Sequence, residues 1–230
     1  MMKRLDGVHE LLDGPLDDPA AVAANLRDLS QLNRLSGGAR LSLRAARALG
    51  DARTILDVGT GAGDIPAAFL ADARRRGVAL EVTATDSRPE VLAAAAFARP
   101  GLPTMPGLTF AVADGRALPY PDASFDIGHA SMVVHHLDAD EAVAFLRELR
   151  RVSRLGIVIN DLARGPHFWL ATWLLTHTVA ASRFTRHDGP LSVRRAWTRG
   201  EVVGLLERAG LSPVATISGF AGHRYAIAAR

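Results

Sequence analysis

The sequence has no cysteine, and a single lysine, Lys3, stands among its 27 basic residues. The absence of cysteine excludes a disulfide framework, a cysteine-based zinc site and a thiol nucleophile. The arginines are scattered and do not alternate with aromatic residues, so the pattern is not that of a nucleic-acid-binding surface. The net charge is only +3. We interpret the basic isoelectric point as a compositional bias towards arginine.

Long apolar runs are also missing. The longest, FWLATWLL at 168–175, is far shorter than the roughly 20 residues that a membrane span requires. The start, MMKRLDGVHELLDG, has no apolar segment of signal-peptide length. We therefore expect a soluble, cytoplasmic protein, monomeric or homodimeric. The 230 residues, 48% of them hydrophobic, fit one domain over residues 1–230.

The spacing of apolar residues predicts two N-terminal helices and then an alternation of strands and helices. Leucines at helical spacing over 20–49, interrupted at Gly37–Gly38, predict a helical cap over residues 1–49. Strands are predicted at 54–59, 80–86, 108–114, 124–133 and 154–161, with helices at 65–76, 89–98, 140–151 and 199–209. Such alternation is typical of a doubly wound α/β sheet.

The C-terminal part departs from this alternation. Residues 162–197 form a predicted insertion, helical over 167–182, which we place as a lid over the carboxyl edge of the sheet. The last two predicted strands, 214–218 and 223–229, are joined by four residues, too few for a parallel crossover. They therefore form a hairpin. The predicted fold is a seven-stranded, mainly parallel sheet with one antiparallel strand.

A glycine-rich turn follows the first strand, in the segment ILDVGTGAGDIP. Its glycines, Gly59, Gly61 and Gly63, are spaced G-x-G-x-G, whereas the dinucleotide fingerprint is G-x-G-x-x-G. Asp64 takes the place of that fingerprint's last glycine, where its charge would repel a pyrophosphate at the helix start. The turn therefore favours a phosphate-free ligand that carries a cationic group.

Three predicted strands end in an acid: Asp57, Asp86 and Asp114. A single acid at a strand end is often a helix cap or a turn former. Ligands of open α/β sheets bind at the carboxyl ends of the strands. Three such acids in succession, the first inside a glycine turn, indicate a ligand site at that edge.

The segments DVGTGAGD and ADGRALPYPDASFDIG, the strand-ending Asp86 and the terminal hairpin together resemble class I S-adenosylmethionine-dependent methyltransferases. The resemblance covers about residues 50–230 and is strongest to small-molecule enzymes of the quinone-biosynthesis and polyketide-tailoring type. It implies S-adenosylmethionine as cofactor. The implied cofactor contacts are Asp57 with the backbone of Gly59, Thr60 and Gly61 at the methionine end, Asp86 with Ser87 at the ribose, Asp114 with the Gly115 backbone at the adenine, and Ser131. Asn33 and Arg34 are candidates for the cofactor carboxylate, although an exposed helix surface explains them about as well.

The acceptor side depends on two histidine-containing segments. In MVVHHLD, His135 is our first candidate for a general base, and His187 in FTRHDGPLSVRRAW is the second. Each has an alternative: His135 and its neighbour His136 fit a helix cap or packing beneath the cofactor, and RHDGPLSV fits a surface turn as well as a substrate-facing loop. The aromatic residues Phe168, Trp169, Trp173 and Phe184 would line an apolar pocket.

No set of residues has a spacing typical of metal ligands, so we expect no catalytic metal. The resulting hypothesis is methyl transfer to a small aromatic or polyketide-like acceptor, with a phenolic hydroxyl favoured. C-methylation of a quinol-type ring is the nearest alternative, because the hydroxyl and its ortho carbon lie so close that one pocket could serve both. A nicotinamide-dependent oxidoreductase and a non-catalytic binding protein remain alternatives of other classes.

Overall fold

Seven strands form one sheet in the computed structural model, which describes residues 2–230 apart from the side chain of Phe220. The strands are β1 (Thr54–Val58), β2 (Glu81–Asp86), β3 (Leu108–Val112), β4 (Phe125–Ser131), β5 (Ser153–Leu162), β6 (Pro213–Ser218) and β7 (Arg224–Ala229). Their order is β3-β2-β1-β4-β5-β7-β6. β7 runs antiparallel to both of its neighbours and the other pairs are parallel. The predicted sheet and terminal hairpin are confirmed.

Eight α-helices surround the sheet within the described residues. They are α1 (Pro19–Ser36), α2 (Gly38–Leu49), α3 (Asp64–Arg76), α4 (Pro89–Ala98), α5 (Ala139–Arg151), α6 (Pro166–Val179), α7 (Arg183–Arg195) and α8 (Arg199–Arg208). Short 3-10 turns lie at Leu11–Asp13 and Val134–His136. The helix of 140–151 begins one residue earlier than predicted because Asp138 accepts hydrogen bonds from the N–H groups of Asp140 and Glu141 and caps it.

The central strands of the sheet are buried on both faces, as in a covered parallel sheet. Alternate residues of β1 point to opposite sides: Leu56 and Val58 pack with Phe145 of α5, and Ile55 packs with Phe69 of α3. β7 is buried along its whole length. Because helices cover both faces, the polar side chains of a possible site lie at the carboxyl ends of β1, β2 and β4 and in the loops that follow them.

Helix α1 lies beside the glycine turn. It begins at Pro19, where the Asp18 carboxylate accepts hydrogen bonds from two backbone N–H groups, and it ends at Gly37 with φ 72°. A small apolar cluster joins α1 to α4 and to Ala62 in the glycine turn. The N-terminal helices are therefore packed against the ligand edge of the sheet.

The insertion differs from the prediction. The predicted helix over 167–182 ends at Val179, and a second helix, α7, begins after Ser182, whose hydroxyl accepts from the Phe184 N–H. The prediction of a turn or loop at RHDGPLSV is wrong, because this segment lies inside α7. Gly189 serves helix packing: a Cβ there would lie 2.8 Å from the Thr176 side chain of α6.

Among the described residues, no helix combines the length and hydropathy needed to cross a bilayer.

Candidate active site

The glycine turn between β1 and α3 is built on left-handed backbone conformations. Gly59, Gly61 and Gly63 have φ of 70°, 51° and 65°, which residues with a Cβ adopt only at a cost. A side chain at Gly59 would also collide with Val133. The Gly61 N–H donates to Asp86 Oδ2 at 3.2 Å, which ties the turn to the end of β2.

Three carboxylates surround this turn. Burial raises the pKa of both Asp64 and Asp86, and the charge of Asp57 adds to the shift in each case. Asp57 is itself 2% exposed. Buried like charges raise one another's pKa and make the region favourable for a cation. The turn is thus suited to an ammonium or sulfonium ligand, as predicted from Asp64.

The hydroxyl of Thr60 is an unpaired polar group inside the turn. Thr60 is buried, and its Oγ1 has no hydrogen-bond partner among the described residues. A buried hydroxyl without a partner costs about 1–3 kcal/mol. A ligand with a polar group would remove that cost. The residues of the turn therefore fit the cofactor that the sequence predicts.

A buried chain of hydrogen bonds holds Asp57 from behind. His129 Nδ1 lies 2.5 Å from Asp57 Oδ1, and His129 Nε2 lies 2.7 Å from the Ser42 hydroxyl. Asn160 donates to Ser42 at 2.7 Å, and Arg224 Nε donates to Asn160 at 2.6 Å. Because Arg224 and the Asn160 amide are donors, the Ser42 hydrogen is left for His129 Nε2. The chain therefore holds the imidazole in place, with Nδ1 against the Asp57 carboxylate.

Arg224 continues this chain towards the other side of the turn. Its guanidinium donates to Asn33 and Ser131 at 2.6 and 2.9 Å, and Asn33 donates to Asp64 at 3.1 Å. Burial lowers the pKa of Arg224 to about 10, with Asp161 and Asp64 opposing the shift. Asn33 and Ser131, both predicted to be cofactor contacts, are thus held near the turn by a buried arginine.

Sequence reasoning missed His129 and Arg224. A sequence signal for both residues does exist, because each is a charged or polar residue in a strand of mostly small, apolar residues. His129 lies in FDIGHAS, and Arg224 begins RYAIAA. The pairing of Asp57 with His129 across β1 and β4 depends on sheet register. Arg34, by contrast, is exposed, and no side-chain hydrogen bond of Arg34 is found among the described residues.

Removing the hydroxyl at position 42 tests this chain. Ser42→Ala leaves His129 Nε2 and an Asn160 N–H without partners, so we expect the free energy of unfolding to fall by about 1–3 kcal/mol. Urea denaturation followed by circular dichroism measures it. Ser212→Ala, at an exposed position, is the control and should change stability by less than about 0.5 kcal/mol. Equal stability of the two variants would show that the chain contributes nothing.

The predicted adenine side is more open. Asp114 is exposed and accepts from Arg116 through both carboxylate oxygens, which lowers its pKa. A Cβ on Gly115 would lie 2.7 Å from the Phe145 ring and 2.8 Å from Val58, so the backbone there lies directly on the core. Ser87 is exposed beside Asp86. The cofactor roles of these three residues stay predictions.

On the proposed acceptor side, His135 lies in the short 3-10 turn that follows β4. Its Nδ1 lies 2.7 Å from Asp161 Oδ1 at the end of β5, and its backbone N–H donates to Asp161 Oδ2 at 3.1 Å. Both residues are 1% exposed. Burial alone would raise the pKa of Asp161, but the charge and hydrogen bond of His135 outweigh it and hold the pKa below its usual range. The pair fixes the imidazole with Nε2 free of Asp161.

The N-terminal segment covers this histidine, which the sequence did not reveal. The Arg4 guanidinium donates to the carbonyl oxygens of His135 and Leu137 at 3.2 and 2.8 Å. The buried Glu10 carboxylate lies 3.7 Å from His135 Nε2. The hydroxyl of Ser192, on α7, donates to Glu10 at 2.9 Å. Residues far apart in sequence therefore meet around one imidazole.

His187 lies elsewhere. It sits on α7 with a 53% exposed side chain and an Nδ1 2.8 Å from Asp188. Asp188, which is buried, accepts hydrogen bonds from the N–H groups of Leu11 and Leu12. The structure thus brings Asp188 to the N-terminal segment and leaves His187 at the surface of a helix instead of in a loop.

The predicted aromatic wall is only partly formed. Phe184 is buried, but Trp173 is 40% exposed, and Thr176 is the buried residue of α6. A separate cleft between α2 and α3, lined by Arg47, Asp72 and others, lies at the amino-terminal end of β1. It is therefore remote from the glycine turn and is not part of this site.

Comparison with known proteins gives a consistent result. Residues 56–159 match a family model described as a methyltransferase domain. A ubiquinone/menaquinone biosynthesis C-methyltransferase of Rickettsia akari is 42% identical over 72 residues, which is 31% of this chain and 29% of that protein. The chain thus matches under a third of the length of this curated relative.

Two solved structures share the fold. A SAM-dependent methyltransferase from Aquifex aeolicus has a TM-score of 0.62 at 22% identity, covering 92% of this chain and 97% of that one. The mitomycin 7-O-methyltransferase has a TM-score of 0.67 at 21% identity, covering 93% and 58%. Residues 56–159 thus match a methyltransferase domain, and the chain shares its fold with solved SAM-dependent methyltransferases.

Proposed function

We propose that this protein transfers a methyl group from S-adenosylmethionine to a small aromatic or polyketide-like acceptor, at a phenolic oxygen. The observation that carries the proposal is the glycine turn, which is flanked by the carboxylates of Asp57, Asp64 and Asp86 and contains the unpaired buried hydroxyl of Thr60. That arrangement favours a cationic ligand and disfavours a pyrophosphate. When bound, the cofactor supplies an electrophilic methyl group on a sulfonium.

The residues of the turn would hold the cofactor by charge and by close backbone approach. Asp57, fixed by His129, and the backbone of Gly59, Thr60 and Gly61 face the methionine end. Asp86 accepts from the ribose hydroxyls, with Ser87 beside it, because a carboxylate accepts two hydroxyl donors well. Asp114, Gly115 and Ser131 complete the proposed set, and Asn33 reaches the same region through Arg224. Arg34 has no support from the structure.

His135 is the proposed general base for the acceptor. In the neutral form, with the Nδ1 proton donated to Asp161, the lone pair would be on Nε2, where it could take a phenolic proton. A phenol with a pKa near 10 is almost wholly protonated at neutral pH. Proton removal as the bond forms therefore increases its nucleophilicity. The exposure of His187 makes it the weaker candidate.

C-methylation of a quinol-type ring is a second candidate, favoured by the partial match to a C-methyltransferase of quinone biosynthesis. The carbon next to a phenolic hydroxyl is also nucleophilic, and His135 could accept the proton that leaves. Product analysis of a single methylated phenol or quinol by NMR separates the two, since only O-methylation creates a methoxy signal.

Calorimetry and turnover test the proposal together. We expect the protein to bind S-adenosylmethionine, to show no heat with NAD, and to methylate at least one member of a panel of phenols and quinols. Binding of NAD without binding of S-adenosylmethionine would favour an oxidoreductase and refute the proposed cofactor. Cofactor binding without transfer to any panel member would support a non-catalytic binding protein.

A further inference from the structure

We propose that Glu10, His135 and His136 form a binding site for one divalent transition-metal ion such as Zn²⁺. Each residue offers one ligand atom, and these atoms lie within 4.8 Å of one another. Two imidazoles and one carboxylate form a donor set that binds zinc and related first-row metals. The sequence did not predict the set because Glu10 comes from the distant N-terminal segment.

One of the two histidines is oriented as metal ligands usually are. His135 Nδ1 lies 2.7 Å from Asp161, whereas His136 Nδ1, 3.4 Å from Asp13, has no hydrogen-bond partner among the described residues. A carboxylate at one ring nitrogen fixes the tautomer and frees the other nitrogen for a metal. The free Nε2 atoms lie 3.7 and 3.9 Å from the two oxygens of Glu10. The rings are close together, with centroids 4.2 Å apart, so both face the same carboxylate.

The spacing of these atoms is close to that of a loaded site. Ligands at 2.0–2.1 Å from a tetrahedral zinc lie about 3.4 Å from one another. The separations of 3.7 and 3.9 Å from the two Glu10 oxygens exceed that by a few tenths of an ångström. The three ligand atoms as a set lie within 4.8 Å of one another, so side-chain adjustment has to close the site around an ion. Ligand–ligand distances above 3.5 Å are also too long for direct hydrogen bonds. The present arrangement therefore leaves both Nε2 atoms without a direct bond to Glu10.

The surrounding charge suits a dication. Within the part of the chain that the structure describes, the carboxylates of Glu10, Asp13 and Asp161 outnumber the guanidinium in ion-pair contact with them, that of Arg195, which lies 3.4 Å from Glu10 Oε1. A second guanidinium, that of Arg4, donates to the His135 carbonyl oxygen. Ser192 donates to the same oxygen. Oε2 is therefore the better placed ligand atom of Glu10. One position of a tetrahedral ion is then left for water or for an acceptor oxygen.

The site goes beyond methyl transfer, and it competes with the base proposed above. An ion bound to His135 Nε2 takes up the lone pair that would accept the acceptor proton. The ion-loaded protein is thus expected to methylate phenols more slowly than the chelator-treated protein. Binding of the ion, however, is measurable whether or not the protein has methyltransferase activity.

Titration of chelator-treated, full-length protein with ZnCl₂ and with CoCl₂ tests the site. We expect one ion per chain by calorimetry, and visible absorption bands of four-coordinate Co²⁺. Glu10→Gln and His136→Ala should each weaken Zn²⁺ binding by at least ~10-fold. Because His136 is 30% exposed, its variant should fold, and thermal unfolding checks this.

His177→Ala is the matched control, since His177 is an exposed histidine on α6. It should bind Zn²⁺ as the unchanged protein does. Absence of stoichiometric binding would overturn the proposal. So would binding that Glu10→Gln and His136→Ala leave unchanged, because the ion would then be held elsewhere.

Discussion

Asp86→Ala is expected to raise the Kd for S-adenosylmethionine by ~30- to 150-fold. The carboxylate ends β2 beside the glycine turn, where its Oδ2 accepts the Gly61 N–H at 3.2 Å. In the proposed complex it also accepts two ribose hydroxyls. Hydrogen bonds to a charged group contribute about 1.5–3 kcal/mol, and 2–3 kcal/mol corresponds to that change in affinity. Isothermal titration calorimetry at constant pH measures it.

A control variant removes a carboxylate that lies away from the glycine turn. Asp51→Ala is suitable, because Asp51 is 95% exposed and its ion-pair contact is with Arg76 at 3.5 Å. Its Kd should stay within about twofold of the unchanged protein. An Asp86→Ala variant that is folded and binds the cofactor with unchanged affinity would refute the ribose role, and with it the assignment of this edge of the sheet.

The glycine turn and the acids beside it could be predicted from the sequence because their signals are local. The glycines of the turn, the acid at the start of α3 and the acid that ends β2 all lie within about one strand–helix–strand unit. A backbone conformation that favours glycine depends on the residue itself and its neighbours. The effect of a charge at a helix start likewise depends on a few consecutive residues. Because β1 and β2 are parallel, the residues that follow them lie at the same edge of the sheet.

The support behind Asp57 could not be predicted in the same way. His129 reaches it only because β1 and β4 pair with Asp57 opposite His129, and Ser42 and Arg224 come from α2 and from the last strand. Such contacts depend on register and on helix placement. Periodicity predicts which face is buried, but it does not predict which polar residue of one element meets which of another.

The insertion shows how composition can mislead. RHDGPLSV has the residues of a turn, yet it is helical. The lack of a side chain at Gly189 allows α7 to pack closely on α6 at Thr176. Asp188 supplies its carboxylate to the N–H groups of Leu11 and Leu12. Tertiary contacts with α6 and with the N-terminal segment therefore outweigh the local preference for a turn.

His135→Ala is expected to lower kcat for a phenolic acceptor by about 100-fold or more, while the Kd for S-adenosylmethionine changes less than about threefold. The imidazole is the proposed proton acceptor, whereas the glycine turn proposed to hold the cofactor consists of other residues. Initial rates at saturating cofactor, in the presence of chelator so that no ion occupies Nε2, measure the change.

Two further variants separate a catalytic role from a structural one. His135→Gln retains a donor for Asp161, so it protects the fold if removal of the buried ring proves too damaging. It should lose the same activity, because an amide does not accept a proton at neutral pH. His187→Ala, on the exposed surface of α7, should turn over at a rate within about twofold of the unchanged protein. The opposite pattern would move the base to His187.

The pH dependence gives the sharpest test of the base. Without an internal proton acceptor, the rate of the His135 variants should follow the fraction of acceptor that is already phenolate. That fraction rises about tenfold per pH unit below a pKa near 10, so the variants should recover activity steeply between about pH 7 and pH 9. The unchanged protein should show a flatter profile, because His135 removes the proton. Parallel profiles would mean that the imidazole only supports Asp161 and takes no proton.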